Sequence, residues 1–199
     1  KKYRSRFLLV FATLTLLFSS VLLTSCQGKK IKNTVFSVDD LAGKTIGVQL
    51  GTTGDTLVSD YETDGSGTTV SRYNKGSDAI QALKQGKADA VVIDEQPALA
   101  FVKANPDLTI LEEEFANEDY AICVAKGNSL TAKLNEAIEV LMADGTIQKL
   151  IDDYVGDNAT FSGYKSPDGI SRTNGTLVMA TNAYFKPYEY YEGLSLIHI

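Results

Sequence analysis

The sequence predicts an α/β fold built on a parallel sheet. Short apolar runs alternate with segments whose apolar residues recur at helical spacing, and glycine-containing turns separate the two. The apolar runs are continuous, a pattern typical of strands that are covered on both faces. The 199 residues suffice for one ordinary domain or two small lobes, and 44% apolar with 22% charged residues is the balance of a globular protein.

The elements follow in order along the chain. Strands are predicted at residues 45–49, 69–73, 88–93 and 120–125. Helices are predicted from the turn at 50–55 to Tyr61, from Ser77 to Gly86, after Asp94, and at 130–141 and 147–154 on either side of Gly145. Residues 156–175 are rich in Asn, Asp, Ser and Gly and predict a linker, and residues 176–180 predict a further strand.

The first 26 residues have the layout of an export signal. Lys1, Lys2, Arg4 and Arg6 precede an apolar run at 7–23, and the run ends in LTSC at residues 23–26. LTSC resembles the bacterial lipobox, which implies that Cys26 is lipidated and anchors the chain to a membrane. The alternative is an uncleaved transmembrane helix, because the run approaches the roughly 20 residues that a span requires. Polar residues follow Cys26 at once, which favours the lipoprotein.

Composition argues against several classes of site. The net charge of −6 is spread over mixed acidic and basic residues, without the clustered basic face that a nucleic-acid surface needs. His198 is the only histidine, and Cys26 and Cys123 lie far apart. We therefore expect no metal site, no cofactor and no histidine-dependent catalysis. Cys123 lies in an apolar run, which predicts a buried thiol.

Several segments together resemble the amino-acid-binding proteins of ABC importers, the type II periplasmic binding proteins. The opening of that family's second lobe is matched by DLAGKTIGVQLGTT at 40–53, and its next signature by GKADAVVID at 86–94. Residues 128–154, which include DGTI at 144–147, resemble the C-terminal part that returns to lobe one. LVMATNAYFKPYEY at 177–190 resembles the start of the family's first lobe. The resemblance implies a periplasmic-binding-protein-like α/β fold with one complete lobe and part of the other, and a non-enzymatic function: capture of an amino acid for delivery to an ABC permease.

The export signal and the family resemblance together predict how the chain divides into segments. The expected order is a signal at 1–25, a polar tether at 26–37, lobe two with its C-terminal return at 38–155, a linker at 156–175, the start of a lobe one at 176–193 and a non-native tail at 194–199. The family runs from most of lobe one into lobe two, so this chain looks truncated or rearranged. The body of lobe one and its carboxylate-clamping arginine are missing from the pattern, and we expect weak ligand binding by the chain alone.

The resemblance also implies the binding residues. Gly51, Thr52 and Thr53 would hold the ligand carboxylate at a helix N-terminus, and Asp94 at the end of a parallel strand would accept its α-ammonium. Asn182 and Phe185 would contact the ligand side chain. Thr52, Thr53 and Asp94 have an alternative role as helix N-caps. Two other functions stay open: a dehydratase of aromatic amino-acid synthesis with the same fold, and the sensing domain of a membrane receptor.

Overall fold

A computed structural model describes residues 31–156, 158–160, 162, 165, 168–171, 173–192 and 195–198. From Asn33 onward these residues belong to one unit. The predicted signal at 1–25 and the lipidation site Cys26 lie outside the described residues. Among the described helices, none combines the length and the apolar character needed to cross a bilayer.

A parallel sheet of three strands forms the centre of the first half. Its spatial order is β2-β1-β3, and Ile46 of β1 pairs with Val70 on one side and with Ala90 on the other. The strands are β1 (Thr45–Gln49), β2 (Thr69–Tyr73) and β3 (Ala90–Val92). The α/β prediction is confirmed, and the first two strands have the predicted bounds.

Helices connect and cover these strands. A 3-10 helix, Val38–Leu41, precedes β1, and a second one, Ser59–Glu62, continues the first α-helix. The α-helices of this half are α1 (Thr53–Val58), α2 (Gly76–Lys84) and α3 (Glu95–Ala104). Each begins within two residues of its prediction, because turn residues mark helix starts in the local sequence.

The core lies around the central strand. Ile46 and Val48 of β1 and Val58 of α1 are completely buried, and Leu41 and Val70 pack in the same cluster. Burying one such side chain contributes about 1.5–3 kcal/mol relative to leaving it exposed. The sheet is therefore a firm platform for the loops at its edges.

The second half is packed less tightly. Helices α4 (Leu130–Ala143) and α5 (Thr146–Tyr154) lie on either side of Gly145, whose φ of 78° is readily adopted by glycine. No residue of either helix is buried, and Val140, Met142 and Ile151 are exposed. Both helices were predicted; they contact each other, but neither has a fully buried residue.

A small antiparallel sheet forms the end of the described chain. Its order is β4-β5-β6, with Tyr184 of β4 opposite Tyr190 of β5. The strands are β4 (Tyr184–Phe185), β5 (Glu189–Glu192) and β6 (Ser195–His198).

Two strand predictions are wrong. Residues 120–125 and 176–180 are not in strands, and the side chains of Ile122, Leu177 and Val178 are exposed. An apolar run becomes a strand only when a neighbouring strand takes its backbone hydrogen bonds, and in the described structure neither run has such a neighbour. The predicted burial of Cys123 fails for the same reason, since this free thiol lies in the first run and is exposed.

Candidate functional site

The candidate site lies at the carboxyl edge of the parallel sheet. Strands β1 and β3 are neighbours, and Val48 pairs with Val92 near the carboxyl end of each. The chain leaves β1 into the turn that starts α1, and it leaves β3 through Ile93 into Asp94 and α3. The turn and Asp94 therefore emerge at the same edge, where open α/β sheets bind their ligands.

A glycine allows α1 to approach this edge closely. A β-carbon on Gly54 would lie 3.2 Å from both the carbonyl oxygen and a side-chain methyl of Val92. Contacts this short leave little room for a side chain. The first turn of α1 is thus held against the end of β3, next to the start of α3.

Hydrogen bonds within the turn use most of its polar groups. The Thr52 hydroxyl donates to the Gln49 carbonyl at 2.9 Å and accepts from the Asp55 N–H at 3.3 Å, so Thr52 is the N-cap of α1. The Gly51 N–H donates to Asp55 Oδ2 at 2.9 Å. The N-cap alternative for Thr52 is confirmed, and the groups of Gly51 and Thr52 that a ligand would need are already bonded.

Thr53 differs from the two residues before it. It is the first residue of α1, it is exposed, and its side chain makes no hydrogen bond with another described residue. Of the three predicted turn residues, Thr53 is the one with a hydroxyl available to a ligand in this structure.

The buried carboxylate of Asp55 stabilises the conformation of this turn. Asp55 Oδ1 accepts the Arg72 Nε–H at 2.7 Å, and Arg72 also donates to Ser59 Oγ and to Glu62 Oε2, at 2.7 and 2.8 Å. The Gly51 N–H, and after it the Arg72 guanidinium, lower the pKa of Asp55. Arg72 likewise lowers the pKa of Glu62. These hydrogen bonds join α1 to β2, and Arg72 therefore has a structural role.

Asp94 has an unusual environment for a carboxylate. It is half-buried at the N-cap position of α3, yet its side chain makes no capping bond, so the capping alternative for Asp94 is wrong. The Tyr120 hydroxyl donates to Asp94 Oδ2. Burial, and after it the neighbouring Glu118 carboxyl, raise the pKa of Asp94 to about 6. An ammonium group beside Asp94 would favour its ionised form and lower this pKa.

Aromatic rings extend from Asp94 towards the C-terminal segment. The centroid of the Tyr120 ring lies 4.9 Å from that of Tyr188, and the Tyr188 centroid lies 6.1 Å from that of Phe185. The ring of Tyr184, in the same C-terminal segment, has its centroid 4.0 Å from Lys75 Nζ. Through the rings of Tyr120 and Tyr188, the structure links Phe185 to the neighbourhood of Asp94.

Asn182 is the predicted site residue with no described link to this cluster. It is exposed, its Oδ1 accepts the Tyr184 N–H at 3.1 Å, and its own N–H donates to Glu189 Oε1 at 3.1 Å. Its side chain closes a local turn.

Three residues of this cluster were missed by sequence reasoning, namely Glu118, Tyr120 and Tyr188. Tyr120 lay inside an apolar run and Tyr188 in a tyrosine-rich tail, and Glu118 lay in a polar stretch. Nothing local links them to Asp94, because the contacts join distant parts of the chain. Among the described residues there is also no group of three His, Cys, Asp or Glu side chains that would hold a metal ion.

Comparisons with known proteins find similarity over part of the chain. No protein-family model matches the chain. It is 33% identical over 135 residues to the L-cystine-binding protein TcyJ of Escherichia coli (strain K12), a match that covers 65% of this chain and 48% of that protein. It is 34% identical over 129 residues to the ABC transporter arginine-binding protein 1 of the same organism, covering 62% and 52%.

A solved structure shares the fold. An ancestral arginine-binding protein bound to arginine superposes with a TM-score of 0.57 at 42% identity, covering 63% of this chain and 56% of that one. The chain thus spans about half the length of the relatives it matches. Over that part the chain is similar to amino-acid-binding proteins of ABC transporters.

Proposed function

We propose that the chain is part of an extracytoplasmic lipoprotein that binds an amino acid and delivers it to an ABC importer. The observation that carries the proposal is the half-buried Asp94 carboxyl at the carboxyl edge of the sheet, which the Tyr120 hydroxyl contacts and which has no cationic partner among the described residues. A buried carboxylate needs a positive partner, and an amino acid brings one.

Each end of a zwitterionic ligand has a partner in this arrangement. The α-ammonium would donate to Asp94 in charge-assisted hydrogen bonds. The carboxylate would accept from the Thr53 hydroxyl at the start of α1. Phe185 would pack on the side chain of the ligand. The relatives are named for cystine and for arginine, which makes these two amino acids the first to test.

Ligand titration of the full chain by isothermal calorimetry or by NMR tests the binding function. L-arginine and L-cystine are compared for the wild type and for Asp94→Asn. Loss of one charge-assisted bond should weaken binding at least about 10-fold, since such bonds contribute roughly 1.5–3 kcal/mol. Asp60→Asn is the matched control, because Asp60 is exposed and its side chain is outside the site. Equal affinity of the Asp94→Asn and wild-type chains would contradict the proposed role.

The lipid anchor is tested separately. Expressed in a bacterial host, the wild-type chain should carry a diacylglyceryl group on Cys26, visible in the intact mass, and should partition into detergent. Cys26→Ser should lose both properties. Cys123→Ser is the matched control, because Cys123 is an exposed free thiol within the described domain. Unmodified wild-type protein in the aqueous phase would count against anchoring at Cys26.

A further inference from the structure

Asp94 occupies the N-cap position of α3 without acting as a cap. The side-chain oxygen of an N-cap residue ordinarily accepts the backbone N–H of the second or third helical residue. Thr52 does so on α1, which starts at the same edge of the sheet, since its hydroxyl accepts the Asp55 N–H at 3.3 Å. The Asp94 carboxyl makes no such bond in the described structure. The helix therefore uses the cap side chain of α1 and leaves that of α3 unused.

The sequence of the first turn of α3 explains the difference. Its first three residues are Glu95, Gln96 and Pro97, and proline has no backbone N–H. The donor of the third helical residue, which Thr52 uses on α1, is thus missing on α3. Pro97 is fully buried, so packing fixes its place in this turn. An Asp94 carboxyl that turned back towards its own helix would find the Gln96 N–H as its remaining cap donor.

The Tyr120 hydroxyl holds the Asp94 carboxyl from the opposite side. It donates to Asp94 Oδ2, and the Tyr120 ring packs against Tyr188 with the ring centroids 4.9 Å apart. This bond favours the ionised carboxylate, and it lowers the pKa of Asp94 against the larger effect of burial. A carboxylate has about four lone-pair sites, and one hydroxyl occupies one of them. The Asp94 carboxylate therefore has capacity for further donors while Tyr120 holds it.

We propose that Pro97 and Tyr120 are positioning residues that keep the Asp94 carboxylate available for a ligand. Pro97 withholds the N–H that would draw the side chain onto α3, and Tyr120 holds one carboxylate oxygen beside the aromatic rings. The ligand group is a cationic donor, and its identity as the ammonium of an amino acid rests on the proposed function. The orientation of Asp94 in the empty site does not depend on that function.

A titration without ligand tests this orientation. The carboxyl carbon of Asp94 is followed by NMR from pH 3 to pH 9 in the full chain, for the wild type, Pro97→Ala and Tyr120→Phe. Pro97→Ala supplies the missing N–H, which can donate to the ionised carboxylate, so the midpoint should fall by about half a pH unit or more. The amide proton that this variant gains should shift as Asp94 ionises. Tyr120→Phe removes a donor but keeps the ring, and it should raise the midpoint.

Two control variants make the same chemical changes away from Asp94. Pro106→Ala replaces an exposed proline, and Tyr191→Phe removes the hydroxyl of an exposed tyrosine. Both should leave the Asp94 midpoint unchanged within experimental error. Glu118 and Tyr188, two further titratable groups near Asp94, are the same in every variant, so their influence on the midpoint is shared.

Opposite shifts in Pro97→Ala and Tyr120→Phe would not arise from a general loosening of the structure. An unchanged Asp94 midpoint in either variant, or an amide proton at position 97 that does not respond to Asp94, would overturn the proposal. Pro97→Val also supplies an N–H and fills more of the buried space, and it takes the place of Pro97→Ala if circular dichroism shows that the alanine variant is unfolded.

A binding experiment connects the orientation of Asp94 to function. L-arginine is titrated into the full chain by calorimetry at neutral pH, for the wild type and the same variants. Pro97→Ala and Tyr120→Phe should each weaken binding by about 2–10-fold, since each diverts or removes one hydrogen bond of ordinary strength. Wild-type affinity in both variants would overturn the inference and leave the proposed function intact. If neither L-arginine nor L-cystine binds to the wild type, the proposed function is contradicted, and the ligand-free titration alone decides about Pro97 and Tyr120.

Discussion

Replacing Asp55 by asparagine should lower the free energy of unfolding by about 2 kcal/mol, because Asp55 stabilises the turn of the candidate site. The side chain of Asp55 is only 10% exposed, and its two oxygens accept the Gly51 N–H and the Arg72 Nε–H. Asparagine has nearly the same shape but presents an NH₂ group in place of one oxygen. A donor then faces either Gly51 or Arg72, and one hydrogen bond is lost.

The magnitude follows from the kind of bond that is lost. A hydrogen bond to a charged group contributes about 1.5–3 kcal/mol to stability. Leaving a buried donor without an acceptor costs a similar amount. The neutral amide is less costly to bury than a carboxylate, which offsets part of the loss. We therefore expect a decrease of about 2 kcal/mol in the free energy of unfolding, or a urea midpoint lower by roughly 1 M for a typical slope.

The effect of Asp55→Asn should also depend on pH. The folded-state pKa of Asp55 is lowered, so the stability that its charge contributes is present above the unfolded-state pKa and is lost as the pH falls through the folded-state value. The difference between wild type and variant should be constant from about pH 6 to pH 8 and should shrink below about pH 4.

Urea unfolding followed by circular dichroism measures both effects on the purified chain. Asp60→Asn makes the same chemical change on an exposed residue of the same region and should stay within about 0.5 kcal/mol of the wild type. Arg72→Met provides a second test, since it removes the other partner; the double variant should lose less than the sum of the single losses. A change of less than about 0.5 kcal/mol in Asp55→Asn would refute the reasoning.

Three further predictions concern the parallel sheet, Asp94, and helices α4 and α5. Gln49→Leu should lower the unfolding free energy by about 1–3 kcal/mol, because the buried Gln49 Oε1 accepts the Gly76 N–H at 2.9 Å. Gln81→Leu, at an exposed position, is the control. Equal urea midpoints for Gln49→Leu and the wild type would contradict this prediction. Because the folded-state pKa of Asp94 is raised to about 6, stability should fall as the pH rises from the unfolded-state pKa towards 6. Asp94→Asn should flatten that slope in melting curves, and an unchanged slope would exclude Asp94 as its source. In hydrogen exchange the Val48 amide should be among the slowest and those of α4 and α5 much faster, since neither helix has a buried residue; equal protection would be inconsistent with the structure.

Local patterns in the sequence were enough to predict most of the first half. Apolar runs that enter a sheet become strands, and turn residues such as Thr52 mark where the next helix starts. The same alternation of strand and helix placed Asp94 just beyond the end of a parallel strand. These features depend on residues close together in the chain, which is why a single sequence contains them.

Tertiary packing set the features that depend on distant residues. Residues 120–125 have the composition of a strand, but no neighbouring strand takes their backbone hydrogen bonds in the described structure. The segment instead directs the Tyr120 hydroxyl, together with Glu118, to Asp94. Burial, and after it the neighbouring Glu118 carboxyl, raise the pKa of Asp94, whereas the Tyr120 hydroxyl lowers it.

The turn before α1 shows the same division within a few residues. Local sequence alone predicted that a polar turn with Gly51, Thr52 and Thr53 would start a helix at the edge of a parallel sheet, because cap and turn preferences act over a few residues. Which of the two threonines keeps a free hydroxyl became clear from the structure. Asp55, held from β2 by Arg72, takes the Gly51 N–H and binds Thr52 through its own N–H, and Thr53 remains exposed to solvent. The polar groups available to a ligand are those that the fold has not already paired. In this turn the pairing partners Gln49 and Asp55 are close in the chain, and the tertiary structure adds Arg72, which holds Asp55 from a more distant strand.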